Sequence, residues 1–295
     1  MTAVDSAATG RAAAGKAATC QVLLIGKDPR LGKELEEGLT ARNCVFDYAA
    51  GSCDALRRLR QTHYAVVITD PATHIDEDLA LLAEMRAIRP GVRAIVLASD
   101  GTPEEIIAAL RARVFICLVG AVDAAEIANY AMQAANSLDS LVGIEVLSAQ
   151  RNWVSVRMNC HLLSAERLVV FLKGLQLELP DVPRDELMMA FREILMNAIE
   201  HGAEFCPGKV IDVAAVHTAR AIVFYVHDPG PGFRWEGMAH AAITNPPEDP
   251  VRHACVREEK GMRPGGFGIL IAKGIVDELI YSEVGNEVLL IKHVA

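Results

Sequence analysis

Apolar and polar positions recur along this chain with two different rhythms, and the change between them divides it. In the first half, short runs that are apolar at nearly every position (22–25, 45–46, 66–68, 94–97 and 114–119) alternate with helical patterns. Runs so short and unbroken predict strands buried on both faces, as in a parallel sheet. The helical patterns fall at 31–41, 54–61, 79–88, 103–111 and 124–137. Pro103 directly follows Thr102, the arrangement of a first-turn proline behind a hydroxyl cap. Regular strand–helix repetition predicts a doubly wound α/β unit of flavodoxin-like order, with its functional edge at the strand C-termini.

The second half reads differently. Residues 153–158 alternate strictly, as a half-buried strand does, and 278–282 and 287–291 are strands flanking a Gly285–Asn286 turn. Ser164 is placed to cap a helix carrying Leu168, Val169, Leu172 and Leu175. A longer helix starts near Pro183, with Asp185 and Glu186 in its first turn and Leu187, Phe191, Ile194 and Ala198 as its buried stripe. A further strand is predicted over 222–228 and a helix over 269–277; residues 138–150 join the halves and open the second sheet. This is an α+β pattern.

Composition narrows the classes. With 295 residues, 52% hydrophobic and 23% charged, the chain is long enough for two separate cores. No apolar run approaches the roughly 20 residues that span a bilayer, so no membrane association is expected. Residues 1–19, rich in Ala, Thr and Gly with Arg11 and Lys16 as the basic residues, read as a disordered tail rather than a secretory signal. The seven cysteines are scattered without a CxxC pair, which favours neither zinc nor a disulfide framework and fits a reduced, cytoplasmic setting. A net charge of -9 argues against nucleic acid as a partner.

Candidate chemistry concentrates in three short motifs. Glu193, Asn197 and His201 are spaced to line one edge of the longer helix. An Asn carbonyl is a hard donor suited to magnesium, and a Glu one turn away can accept a proton. Alone, such a row is a solvated helix face. The strand over 222–228, however, delivers Asp228 into Pro229-Gly230-Pro231-Gly232, where a carboxylate can accept from an adenine amino group. Gly265, Gly266 and Gly268 then open a helix whose free N–H groups suit phosphates. Together the three describe an ATP site between a helix and an antiparallel sheet. Residues 234–264, rich in Pro, Gly and charge, are expected to form a lid; Arg252, His253, Arg257, Lys260 and Arg263 are its candidate phosphate contacts.

Two resemblances follow from these residues. Residues 20–137 resemble the receiver domains of response regulators, with Asp70 at the end of the third strand as the possible phosphoacceptor. The pattern is degenerate: Lys27-Asp28 replaces an acidic pair, Ala98-Ser99 displaces the hydroxyl, and Gly120-Ala121 replaces Lys-Pro. Without charge compensation a carboxylate is a poor phosphoacceptor, so the expectation is a protein-binding receiver with Asp70 paired to Lys27. Residues 138–295 resemble the GHKL (Bergerat) ATP-binding sandwich, nearest to the serine kinases that act on anti-sigma antagonists. That resemblance implies ATP and Mg2+ as ligands, Glu193 as general base, Asn197 as magnesium ligand, Asp228 as adenine reader, and Gly230, Gly232, Gly265, Gly266 and Gly268 as glycine boxes. It implies a STAS-domain protein or sigma factor as partner and a Ser/Thr kinase activity. An ATPase, or an ATP-binding interaction module under receiver control, is the alternative. Residues 138–150 leave no room for a phosphoacceptor-histidine hairpin, and His161 lies outside one. Ile127, Tyr130 and Ala131 could pair subunits or pack within the chain.

Overall fold

The computed structural model describes residues 20–26, 28–137, 143–175, 179–234, 239–261 and 266–294. Lys27, Arg263, Gly265 and the tail over 1–19 lie outside these, as does the predicted pairing of Lys27 with Asp70.

The first unit runs β1 (Cys20–Ile25), α1 (Pro29–Thr40), β2 (Cys44–Ala49), α2 (Ser52–Gln61), β3 (Val66–Thr69), α3 (Ile75–Ile88), β4 (Arg93–Ala98), α4 (Pro103–Arg111), β5 (Ile116–Val119) and α5 (Ala124–Asn136). Its five strands are parallel in the order β2-β1-β3-β4-β5, the doubly wound order expected of a flavodoxin-like sheet. β3 is buried along its whole length, because helices cover both faces of a parallel sheet. Thr102 and Glu105 form a reciprocal capping box at α4. Helix α3 starts before the apolar periodicity does, since Asp76, Glu77 and Asp78 occupy its first turn, where the helix dipole favours carboxylates.

The second unit comprises β6 (Ile144–Gln150), β7 (Trp153–Asn159), α6 (Leu162–Gly174), α7 (Asp181–Asn197), β8 (Val210–His217), β9 (Ala221–His227), α8 (Arg252–Glu259), α9 (Gly268–Ile275), β10 (Glu278–Tyr281) and β11 (Glu287–His293). Its six strands are antiparallel in the order β10-β11-β9-β8-β7-β6. Helices α6, α7 and α9 layer on one face; Phe191 of α7 stacks on Phe224 of β9 with ring centroids 4.4 Å apart.

One expectation is corrected here, and one helix end has a form of its own. Ser164 does not cap α6: the helix begins at Leu162, His161 caps it by accepting the Leu163 N–H on Nδ1 at 3.1 Å, and Ser164 is fully buried. Gly202 does not end α7 in a simple cap. The chain widens into a π-turn over Ala198–Gly202, where the Ala203 N–H reaches back to the Ala198 carbonyl at 2.9 Å. The left-handed residues come afterwards, at Glu204 and Phe205.

The units share a core. One apolar cluster includes Ile106, Ile107 and Leu110 of α4 together with Phe171 and Leu172 of α6, and Leu163 of α6 belongs to the core beneath α5. Arg167 of α6, 8% exposed, donates from Nε to the Phe115 carbonyl at 2.5 Å and lies 4.4 Å over the Phe115 ring. Arg111 donates to the Ala149 carbonyl. Ile127 and Ala131 are buried inside the chain, so the α5 face offered for subunit pairing packs internally.

Candidate nucleotide site

Helix α7, the π-turn, the loop after β9 and the start of α9 enclose a cavity of about 360 Å³. Its lining brings together Glu193, Asn197, His201, Asp228, Gly232, Gly266 and Gly268. Residues from three stretches far apart in the chain thus meet at one cleft.

The glycines are where side chains would not fit. A Cβ at Gly202 would lie 2.1 Å from Asp228 Oδ1, and one at Gly230 would lie 2.7 Å from the Gly202 Cα. One at Gly268 would lie 2.9 Å from Glu193 Oε2 and 3.4 Å from Asn197 Nδ2. Gly266 has φ +97, which an L side chain rarely adopts, and its backbone passes under His253 and Arg257 of the lid segment.

Asp228 Oδ1 accepts the Gly230 N–H at 2.8 Å, closing a tight turn. The Asn286 carbonyl accepts the Asp228 N–H at 3.0 Å, which ties that turn to the β10–β11 hairpin. Burial pushes the Asp228 carboxyl up from its ordinary value, against the lowering effect of the Gly230 N–H and of His227 and Lys209. Two polar atoms at the cleft, Asn197 Nδ2 and His240 Nδ1, are buried without a hydrogen-bond partner among the described residues. Buried groups of this kind are normally satisfied, so the cleft fits a polar ligand: the glycine turn admits a close backbone approach and Asn197 offers an amide to it.

The lid contains α8 and a 3-10 turn, Ala242–Thr244. Among its described basic residues the structure separates roles that the sequence left equal. Arg252 and Lys260 are exposed. His253 is fully buried; its N–H donates to Asn245 Oδ1 at 2.9 Å and its ring meets Phe267 edge-on at 4.4 Å. Arg257, 4% exposed, lines the cleft. His240, missed by the sequence reading, lies 6.0 Å ring to ring from His201. Burial, with His201, Lys260 and Arg257 nearby, lowers its pKa. No periodicity marks a lone histidine inside an irregular segment, so this contact had no sequence signal.

In the first unit Asp70 is 1% exposed. Its Oδ2 accepts the Asp28 N–H at 2.9 Å and its Oδ1 the Ala72 N–H at 2.8 Å. Asp28 uses its own carboxylate to cap α1 through the Arg30 and Leu31 N–H groups. Ser99 Oγ donates to the Pro71 carbonyl at 2.8 Å.

Residues 162–292, from α6 through β11, match the family model described as a histidine kinase-like ATPase domain. Over that span the second unit is similar to a histidine kinase-like ATPase domain. Over 102 residues the chain is 30% identical to the transcriptional regulatory protein GlrR of Escherichia coli (strain K12), covering 35% of this chain and 23% of that protein. The transcriptional regulatory protein QseF of Escherichia coli O157:H7 matches to the same extent. The chain therefore spans less than a quarter of the length of the curated relatives it matches. Among solved structures, a CheY-like response regulator receiver domain protein from Methanospirillum hungatei JF-1 is 15% identical, covering 40% of this chain and 94% of its own at a TM-score of 0.37. A response regulator from Thermotoga maritima is 17% identical, with 40% and 99% covered and a TM-score of 0.38. The strand order of the first unit is that of a flavodoxin-like doubly wound sheet.

Proposed function

We propose that this protein binds Mg-ATP in the cleft between α7, α9 and the second sheet and transfers a phosphoryl group to a Ser or Thr hydroxyl of a protein partner. The observation that carries the reading is the meeting of Glu193, Asn197 and Gly268 at one point of the cleft, where a Cβ at position 268 would lie 2.9 Å from Glu193 Oε2 and 3.4 Å from Asn197 Nδ2. The nucleotide supplies the phosphoryl group and its cation offsets the charge of transfer. Asn197 would hold that cation, the N–H groups at the start of α9 would hold phosphate oxygens, and Asp228 would accept from the base. Glu193, set beside them, accepts the proton of the incoming hydroxyl. A STAS-domain protein or a sigma factor is the partner class that the resemblance to anti-sigma serine kinases implies.

Calorimetric titration with ATP tests the first half: magnesium-dependent binding, lost in Asp228→Asn, is expected. Glu193→Gln should keep that binding and abolish transfer to a Ser-bearing partner; loss of binding in this variant would overturn the role given to Glu193.

A second reading, nucleotide-dependent protein binding without transfer, is favoured by the exposed apolar side chains of Phe267 (45%) and Ile271 (38%), which line the cleft. Under that reading, Glu193→Gln would leave every measurable property of the complex unchanged.

A further inference from the structure

Glu193 is not alone at its outer side. Arg192 NH1 lies 3.7 Å from Glu193 Oε1, while Arg192 NH2 lies 3.5 Å from Glu166 Oε1. The other oxygen of Glu193, Oε2, is the one that faces Gly268 in the cleft. One guanidinium is thus shared between the carboxylate at the nucleotide site and a carboxylate on α6.

Glu166 stands in a telling place. It lines a groove of about 370 Å³ between the two units, with Glu126, Tyr130 and Gln133 of α5 on one wall and Val169 and Val170 of α6 on the other; Arg192 closes it from α7. Arg167, the next residue along α6, is anchored on the Phe115 carbonyl of the first unit. The position of Glu166 is therefore set by how α6 seats against the receiver-like unit, and Arg192 reads that position.

Resting on the kinase reading above, we infer that Arg192 is a positioning residue for Glu193 and that Glu166 couples it to the joint between the units. By holding Oε1, Arg192 turns Oε2 toward the cleft. Glu166 steadies the guanidinium, so a change in the seating of α5 against α6 alters the aim of Glu193 without touching the nucleotide. The signal is one of orientation, since both ion pairs are partly exposed and each is weak as a source of stability. Orientation at a reacting group carries large rate effects.

The test is a double-mutant cycle in the full-length protein. Arg192→Ala should lower kcat roughly tenfold with KM for ATP unchanged, and Arg192→Lys, which keeps charge but not the two-pronged reach, should restore only part. Glu166→Gln should lower kcat by a smaller factor, and Glu166→Gln in the Arg192→Ala background should have no further effect. Additive losses, or a loss expressed in KM, would overturn the inference. The same cycle is read on thermal midpoints, for Arg192 with Glu166 and for Arg192 with Glu193. If ATP binds but no transfer or hydrolysis occurs, the kinase reading fails while coupling in the melting cycles still supports the bridge; no coupling there overturns the bridge itself.

Discussion

The carboxylate of Asp228 occupies the space that a side chain at position 202 would need: a Cβ there would fall 2.1 Å from Oδ1. Gly202 belongs to the π-turn and Asp228 to the turn that directly follows β9, so a residue on the helix layer sets how deep a residue at the sheet's edge can sit. Gly202→Ala should push Asp228 out of the cleft. The expected result is a folded protein that has lost ATP binding by calorimetry, with a lowered melting midpoint from overpacking that costs on the order of 1–3 kcal/mol.

Gly268 poses a milder conflict, because the atoms a Cβ would meet are the ends of the Glu193 and Asn197 side chains, at 2.9 and 3.4 Å. Those side chains can yield. Gly268→Ala should therefore fold normally, weaken Mg-ATP binding by about tenfold and reduce transfer further, because Glu193 and Asn197 are displaced together. Unchanged transfer kinetics would argue that these two side chains are not at the reacting end of the cleft.

Asp78 gives the first unit a pH dependence. It is 4% exposed, and burial pushes its pKa up to about 6, partly countered by the hydroxyls of Thr69 and Thr73. Since its folded pKa exceeds the ordinary carboxylate value, the folded state binds the extra proton between roughly pH 4 and 6. Asp78 therefore disfavours folding above that window, and the penalty fades as pH falls through it. Asp78→Asn should stabilise the fold at pH 7.5 by on the order of 1–2 kcal/mol, seen as a higher melting midpoint, and flatten the midpoint between pH 6 and 4. Thermal melts across that range check both.

Asp70 is satisfied by backbone N–H groups on both oxygens. Incubation with acetyl phosphate and magnesium should leave its mass unchanged, and intact-protein mass spectrometry would show an adduct if that expectation is wrong. Asp70→Asn should destabilise by about 1–2 kcal/mol, since an amide cannot accept at both positions.

The shared apolar cluster and the Arg167–Phe115 contact predict that the chain melts as one cooperative unit. Arg167→Ala removes a buried charge-assisted hydrogen bond and a ring contact. It should destabilise the fold by on the order of 2 kcal/mol and split the calorimetric transition in two.

Much of the architecture was legible in the chain because it rests on local periodicity. Alternating short apolar runs and helical patterns gave the five parallel strands; Pro103 behind Thr102 gave the start of α4; and residue type and spacing singled out Glu193, Asn197, Asp228, Gly232, Gly266 and Gly268, which line one cleft. Strand β8 and helix α8 were not read, the first because its small residues (Ala214, Ala215) weaken its alternation and the second because it lies inside an irregular, Pro-rich segment. What spacing cannot carry is distance in space. The π-turn after Asn197, the need for Gly202 opposite Asp228, the burial of His253 and Arg257 rather than Arg252 and Lys260, and the sharing of Arg192 between Glu166 and Glu193 all depend on which elements face each other. Local patterns determine which elements form, because helix and strand periods are short-range; close packing between elements remote in sequence decides which side chains meet, and the geometry of the cleft belongs to that second level.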